Sequence, residues 1–235
     1  MKSKTYLITG ATSGIGQAVY AALAAQGHTL IPVVRNQDRL THLPGKPANY
    51  IVTDMADPVV VEAAFKSFDT KLDGVINAAG LLVGHSMQQT TLQELNNTFA
   101  VNVLSPFVVL KAVESYLNTN ACIVLFGSIS GHKGSFDDAY AASKGAVHAL
   151  VRSLSLKLAP RARVVGIAPG MTEHTRMTDN LLPGRFEETR EARIPLKQAA
   201  QPEDLAVLVS FVLSDAARFM TGSIIDINGG QYLRT

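Results

Sequence analysis

Residues 4–25 constrain the fold more than any other stretch. Lys4-Thr-Tyr-Leu-Ile-Thr9 reads as a short β-strand, and Thr9-Gly-Ala-Thr-Ser-Gly-Ile-Gly16 is a glycine-rich turn. Ile15, Val19 and Leu23 then recur at helical spacing. Strand, glycine turn and helix in that order make a phosphate cradle. Gly10 permits the tight turn, Gly14 lets the backbone approach a pyrophosphate, and Gly16 lets the helix sit close on the sheet. Thr12, Ser13 and Ile15 lie between these glycines, where the unpaired amides of the helix start face the anion. The spacing is G-x-x-x-G-x-G, which departs from the commoner G-x-G-x-x-G.

The remaining chain repeats the alternation of strand and helix. Strands are expected at Thr29–Val34, Tyr50–Thr53, Gly74–Asn77, Ala121–Phe126, Arg163–Ala168 and Ser223–Ile227. Helical patterns fall at Pro58–Phe68, Leu92–Leu117, Ala139–Leu158 and Glu203–Leu213. Short apolar strands separated by helices of this length predict an α/β fold, a doubly wound parallel sheet covered on both faces. With 235 residues and no repeat or linker, a single dinucleotide-binding catalytic domain is expected over 1–235. The irregular, charge-rich stretch 170–201, interrupted by Pro183 and Pro195, reads as its substrate loop.

Three strand ends carry candidate cofactor contacts. The second strand ends Val33-Val34-Arg35, without the carboxylate that would accept from an adenosine ribose. The guanidinium of Arg35 suits a 2′-phosphate instead, which points to NADP(H). Asp54 is placed to meet the adenine edge, or else caps the helix starting near Pro58. The fourth strand runs into Asn77-Ala78-Ala79-Gly80, small residues that keep a crevice open, with Asn77 able to tie neighbouring strands together. Asn102, among apolar neighbours in mid-helix, is either a structural hydrogen-bond node or part of an active-site relay.

The chemistry is written between Phe126 and Lys144. Tyr140 and Lys144 are four apart and so stand one above the other on a helix face. A nearby ammonium is expected to lower the phenol pKa, making Tyr140 a general acid toward a carbonyl oxygen or a base toward an alcohol. Ser128 leaves the fifth strand at its carboxyl end, where it can hold that oxygen.

Thr9-Gly-x-x-x-Gly-x-Gly16, Asn77-Ala-Ala-Gly80, Asn102, Ser128, Tyr140-x-x-x-Lys144, Pro169-Gly170 and Thr221-Gly222…Gly229-Gly230 together resemble the short-chain dehydrogenase/reductase family, in its single-domain form. The resemblance implies a seven-stranded Rossmann-like sheet in the order 3-2-1-4-5-6-7. It implies a catalytic tetrad of Asn102, Ser128, Tyr140 and Lys144, with Lys144 also on the nicotinamide ribose. Asn77, Ala78 and Gly80 would border the cofactor, Pro169-Gly170 would pass the nicotinamide, and Thr172 or Thr175 would meet its amide, since His174 occupies the family's threonine position. Ser128 precedes Tyr140 by twelve residues where thirteen is frequent, and Asn228 stands where Asp is frequent. The resemblance also implies a homodimer or homotetramer built on the long helix Ala139–Leu158.

The activity that follows is NADPH-dependent interconversion of a carbonyl and an alcohol; the alternative is a non-enzymatic dinucleotide-binding sensor or scaffold. Leu81, Leu82, Met87, Phe136, Met171 and Met177 suggest a partly apolar pocket for a neutral or acyl-type carbonyl, with polar contacts from His132 or His174. His85, His132 and His174 lack metal-ligand spacing, so no metal is expected. His28, His42 and His148 read as surface or packing residues. A net charge of +2 without a basic stripe argues against nucleic acid. The lone Cys122 in an apolar strand, the absence of a signal sequence, and the lack of an uninterrupted apolar run of bilayer length predict a soluble cytoplasmic protein without membrane contact.

Overall fold

The computed structural model describes residues 2–179 and 192–234. Seven strands, β1 (Thr5–Thr9), β2 (Thr29–Val34), β3 (Ile51–Val52), β4 (Leu72–Asn77), β5 (Leu117–Phe126), β6 (Ala162–Pro169) and β7 (Ile224–Ile227), form one sheet. Their order is β3-β2-β1-β4-β5-β6-β7, and every pairing is parallel. The doubly wound arrangement expected from the alternation is therefore present, including the last strand. β3 is shorter than Tyr50–Thr53 because it is an edge strand paired only with β2, at Val33↔Ile51 and Val34↔Val52. β5 begins earlier than Ala121, where Leu117 reaches Leu72 across an irregular step in the ladder.

The helices start where local chemistry tells them to. α1 (Gly14–Ala25) leaves the glycine turn directly. α2 (Pro58–Ala64) is capped by Asp57, whose carboxylate accepts the amides of Val59 and Val60, with Pro58 in the first turn. That corrects the capping role considered for Asp54. α3 (Leu92–Phe99) opens with a reciprocal Thr91–Glu94 capping box. α4 (Ser105–Val113) follows it through a π-helical segment, Ala100–Leu104. The short α5 (Ser130–Lys133) precedes the long α6 (Asp138–Leu158), which Asp137 caps by accepting the amide of Tyr140. α6 stops at Ala159, which turns extended ahead of Pro160. α7 (Arg176–Asp179) lies after β6, and α8 (Pro202–Leu213) returns the chain to β7.

Alternation along the strands sends successive residues to opposite faces and builds two cores. Leu7, Val75, Ile123 and Val164 pack with Val109 of α4 and Val147 and Val151 of α6. Ile8, Ile76, Val124 and Val165 pack on the other face with Val19 and Leu23 of α1 and Leu205 and Val209 of α8. Cys122 belongs to this second core; burial pushes its thiol up to about 11. The helical run Leu92–Tyr116 is long and apolar enough by length and composition to cross a membrane, although polar residues interrupt it throughout. Half of its most apolar window is buried inside this fold, as in the core helix of a globular protein.

The winding direction reverses between β1 and β4. Thr9 and Asn77 lie side by side at that point, so the turns that follow diverge and leave a crevice at the carboxyl ends of the strands.

Candidate active site

The crevice opens into a groove of about 480 Å³ along the carboxyl ends of the strands. Gly10, Thr12, Ser13, Gly14, Ile15 and Gly16 line one wall. Gly10 has φ +71°, and a Cβ there would lie 2.6 Å from the amide nitrogen of Ala79. A Cβ on Gly16 would overlap the carbonyl oxygen of Gly10, so the turn and the helix touch backbone to backbone. Side-chain-free backbone and the free amides at the start of α1 form the cradle that a pyrophosphate requires. The groove thus fits a dinucleotide.

Arg35, leaving β2, lines the same groove, as does Arg39 from the 3₁₀ turn Gln37–His42. The Nε of Arg35 lies 3.6 Å from Asp54 Oδ1, with the arginine side chain 61% exposed. Asp54 also accepts the amide of Ala56 at 3.0 Å and is not among the groove-lining residues. It therefore stands behind Arg35. Asn77 is likewise withdrawn from the groove. It is buried and accepts from the Thr9 hydroxyl, while Thr9 Oγ1 accepts the Ala79 amide at 3.2 Å. The two strands are thereby tied where they diverge, and Ala78 and Gly80 face the groove beyond the tie.

Asn102 lies in the π-helical segment and is 1% exposed. Its Oδ1 accepts the Leu81 amide at 2.7 Å. Its Nδ2 donates to Leu81 O and to Ser143 Oγ, both at 2.9 Å. A π turn displaces one residue from the regular helical stripe, which is how a polar side chain among valines reaches inward. The hydrogen-bond node is realised, and Asn102 Oδ1 also lies 3.7 Å from where a Cβ of Gly80 would stand.

Ser128, Tyr140 and Lys144 meet at the β5 end of the groove. Lys144 Nζ donates to the Phe126 carbonyl at 2.9 Å and sits 5.6 Å from the centre of the Tyr140 ring. A hydrogen bond with Ser128 favours the Tyr140 phenolate, yet burial dominates and pushes the phenol up to about 12. The lowering expected from Lys144 is thereby corrected. Burial also pushes that lysine down to about 8, because the same apolar surroundings disfavour both charged forms. At neutral pH Tyr140 is a protonated phenol.

Pro169 and Gly170 close the groove opposite, with Met171, Thr172 and Thr175 following. Thr172 is buried and its hydroxyl donates to Gly170 O at 3.3 Å. Thr175 stands against the glycine turn, its Cγ2 3.2 Å from where a Cβ of Gly14 would be. Leu82, Phe136 and Met177 line the groove as expected, whereas Leu81 and Met87 do not. Neither His132 nor His174 reaches it. His132 stacks on Tyr232 and pairs with Asp226, and His174 is 78% exposed beside Glu173. His85 is engaged by Glu94 at 3.3 Å. No cluster of His, Cys, Asp or Glu among the described residues could hold a metal ion.

Two contributors are not recognised as such in the sequence, His148 reading as surface or packing and Asp137 being passed over. His148 is 2% exposed and its Nε2 accepts the Ser128 amide at 3.4 Å, directly beneath the turn carrying that serine. A Cβ on Gly131 would lie 2.8 Å from its ring. The signal was its spacing, since Tyr140, Lys144 and His148 are each four apart on one face of α6. Asp137 caps that helix at the Tyr140 amide and also accepts the Gly84 amide at 2.8 Å, fixing the loop after β4.

A glycine cradle at the switch point of a doubly wound sheet, with a buried Tyr, Lys and Ser at the strand ends, defines a nucleotide-dependent oxidoreductase. A family model described as enoyl-(acyl carrier protein) reductase matches residues 10–231. The 3-oxoacyl-[acyl-carrier-protein] reductase of Thermotoga maritima is 34% identical over 245 residues, covering 98% of each chain. The crystal structure of a short chain dehydrogenase family protein from Francisella tularensis superposes with a TM-score of 0.87 at 29% identity, over 98% of this chain and 99% of that one. A blue fluorescent protein from a metagenomic library, solved in complex with NADPH, has a TM-score of 0.89 at 27% identity over 98% of both chains. This chain belongs to the short-chain dehydrogenase/reductase family and is an NAD(P)-dependent oxidoreductase acting on a small molecule.

Proposed function

We propose that the protein interconverts a carbonyl and an alcohol with NADP(H), working as one dinucleotide-binding catalytic unit. The observation that carries this reading is the meeting of Ser128, Tyr140 and Lys144 at one end of a groove whose other end holds the glycine cradle and Arg35. Bound dinucleotide supplies hydride to the carbonyl carbon, or takes it from the alcohol. Gly10, Thr12, Ser13, Gly14, Ile15 and Gly16 hold its pyrophosphate, Arg35 its 2′-phosphate, and Ala78 and Gly80 its adjoining ribose. Asp54 orients Arg35, and Asn77 keeps the strand ends in place. Pro169, Gly170, Thr172 and Thr175 border the nicotinamide half, Thr175 from the side of Gly14.

Ser128 Oγ holds the substrate oxygen while charge develops on it. Tyr140, protonated at neutral pH, gives its proton to that oxygen, and Lys144 offsets the phenolate left behind. Asn102 holds Leu81 and Ser143 beside this proton path. The segment 170–201 forms the substrate loop, of which 180–191 lie outside the described residues. Exposed Leu104 and Phe107 of α3–α4 and Leu156 of α6 support pairing of these helices across a two-fold axis into a homodimer or homotetramer. The buried, unreactive Cys122 suits the cytoplasm.

The test is a spectrophotometric screen of ketones, acyl thioesters, sugars and quinones with NADPH and NADH in parallel. Turnover with NADPH preferred is the expected result, and Arg35→Ala should weaken NADPH binding about tenfold while leaving NADH nearly unchanged. Equal losses for both cofactors would remove Arg35 from the 2′-phosphate site.

A further inference from the structure

Among the described residues the charge of the groove is one-sided. The chain carries 21 Lys and Arg against 19 Asp and Glu, yet the described residues that line the groove include Arg35, Arg39, Lys133, Lys144 and Arg193 and no carboxylate. These cations fall in two groups. Arg35 and Arg39 follow β2, whereas Lys133 ends α5, after β5, and Arg193 follows β6. In the order β2-β1-β4-β5 three strand spacings separate the groups, which amounts to about 14 Å.

The first group has a purpose in the proposed dinucleotide. The second lies at the nicotinamide end, which has no free anionic group to offer. Lys133 and Arg193 are both exposed, and neither side chain has an ion-pair or hydrogen-bond partner among the described residues. The carboxylates nearest Lys133 in sequence are committed elsewhere, Asp137 to the amides of Tyr140 and Gly84 and Asp138 to that of Met87. Leu82, Phe136 and Met171 line the groove too, giving apolar surface beside the charges of Lys133 and Arg193.

From this we infer that the substrate is an anionic carbonyl or alcohol compound, bearing a carboxylate or phosphate that Lys133 and Arg193 bind while its apolar body rests on Leu82, Phe136 and Met171. The inference rests on the reductase reading above and names its substrate class. A carboxylate would take the planar fork of Arg193 in bidentate fashion, and a phosphate would engage both cations. Partial exposure makes the attraction sensitive to salt.

The test uses matched ketones that differ in charge: levulinate against ethyl levulinate for the carboxylate, and hydroxyacetone phosphate against hydroxyacetone for the phosphate. Binding to the NADPH-loaded protein is read by ligand-observed NMR, and turnover by NADPH absorbance. At least one anion should bind about tenfold more tightly than its neutral partner, with the ratio shrinking in high salt. In the double variant Lys133→Met, Arg193→Met the ratio should fall close to one. Neutral partners binding as well as both anions, or an anion preference that survives the double variant, would overturn the inference. Turnover without anion preference would sink the anion site and leave the reductase reading standing. Anion binding lost in the double variant, with no turnover of any compound, would keep the site and sink the reductase reading.

Discussion

Replacing Asn102 by Ala tests how the π-helical segment is tied to the loop after β4. The side chain is 1% exposed and makes three hydrogen bonds, two of 2.9 Å and one of 2.7 Å. Each is worth about 1 kcal/mol net, so their loss costs about 3 kcal/mol. The Leu81 amide and carbonyl, left without partners in a partly buried position, push the cost upward rather than down. In a chain of this size each kcal/mol moves Tm by roughly 2–4 °C, giving an expected drop of roughly 6–12 °C. Urea unfolding followed by circular dichroism would read the free energy directly, with the slope against denaturant unchanged. Ser143→Ala removes only the third bond at this node, although Ser143 also donates to Tyr140 O, and should cost about 1 kcal/mol. A loss below about 1 kcal/mol for Asn102→Ala would refute the reasoning, because a fully bonded buried amide cannot be removed so cheaply.

Gly16→Ala should abolish dinucleotide binding and lower stability, because its Cβ would overlap the Gly10 carbonyl; fluorescence titration with NADPH and a thermal melt check both effects. The neutral state of His148 makes stability pH-dependent. Burial holds its imidazole down to about 4 against 6.5. The unfolded chain therefore binds more protons between those values, and stability falls as pH drops through that window. Unfolding free energies from urea melts at about pH 7 and about pH 5 should differ by about 2 kcal/mol from this residue, and His148→Gln should remove that part of the slope. A variant with the wild-type slope would place the titration elsewhere.

The strands were legible because they are short apolar runs separated by helical patterns, whereas their order across the sheet came from the family resemblance. Helix starts with a side-chain cap were legible as well, to within a residue of Pro58, Leu92 and Asp138. The π-helical segment Ala100–Leu104 was not, since periodicity in Val101-Asn102-Val103 looks like ordinary helix and only tertiary packing selects the wider turn. Asp54 and Asp57 could not be told apart as caps, because both precede Pro58 at short range. His132 and His174, offered as polar contacts in the pocket, lie outside it for different reasons: His132 turns to Asp226 and Tyr232 far along the chain, and His174 stands exposed beside its neighbour Glu173. His148, read as packing, is buried but also accepts the Ser128 amide, a contact set by the turn that lies over α6. The phenol pKa was misjudged because a pair spacing reports proximity and not burial, and burial decides the sign here.

The most direct measurement is NADPH titration and single-turnover reduction on Tyr140→Phe beside the native enzyme, with one active ketone. The ring, its packing in the core and the cap at its amide are all retained, and only the hydroxyl is removed. NADPH should bind with nearly native affinity while the single-turnover rate falls about a hundredfold or more, the range for loss of a general acid. A near-native single-turnover rate would contradict the assignment of the proton to Tyr140 and, with it, the reading of Ser128 and Lys144 built around that hydroxyl.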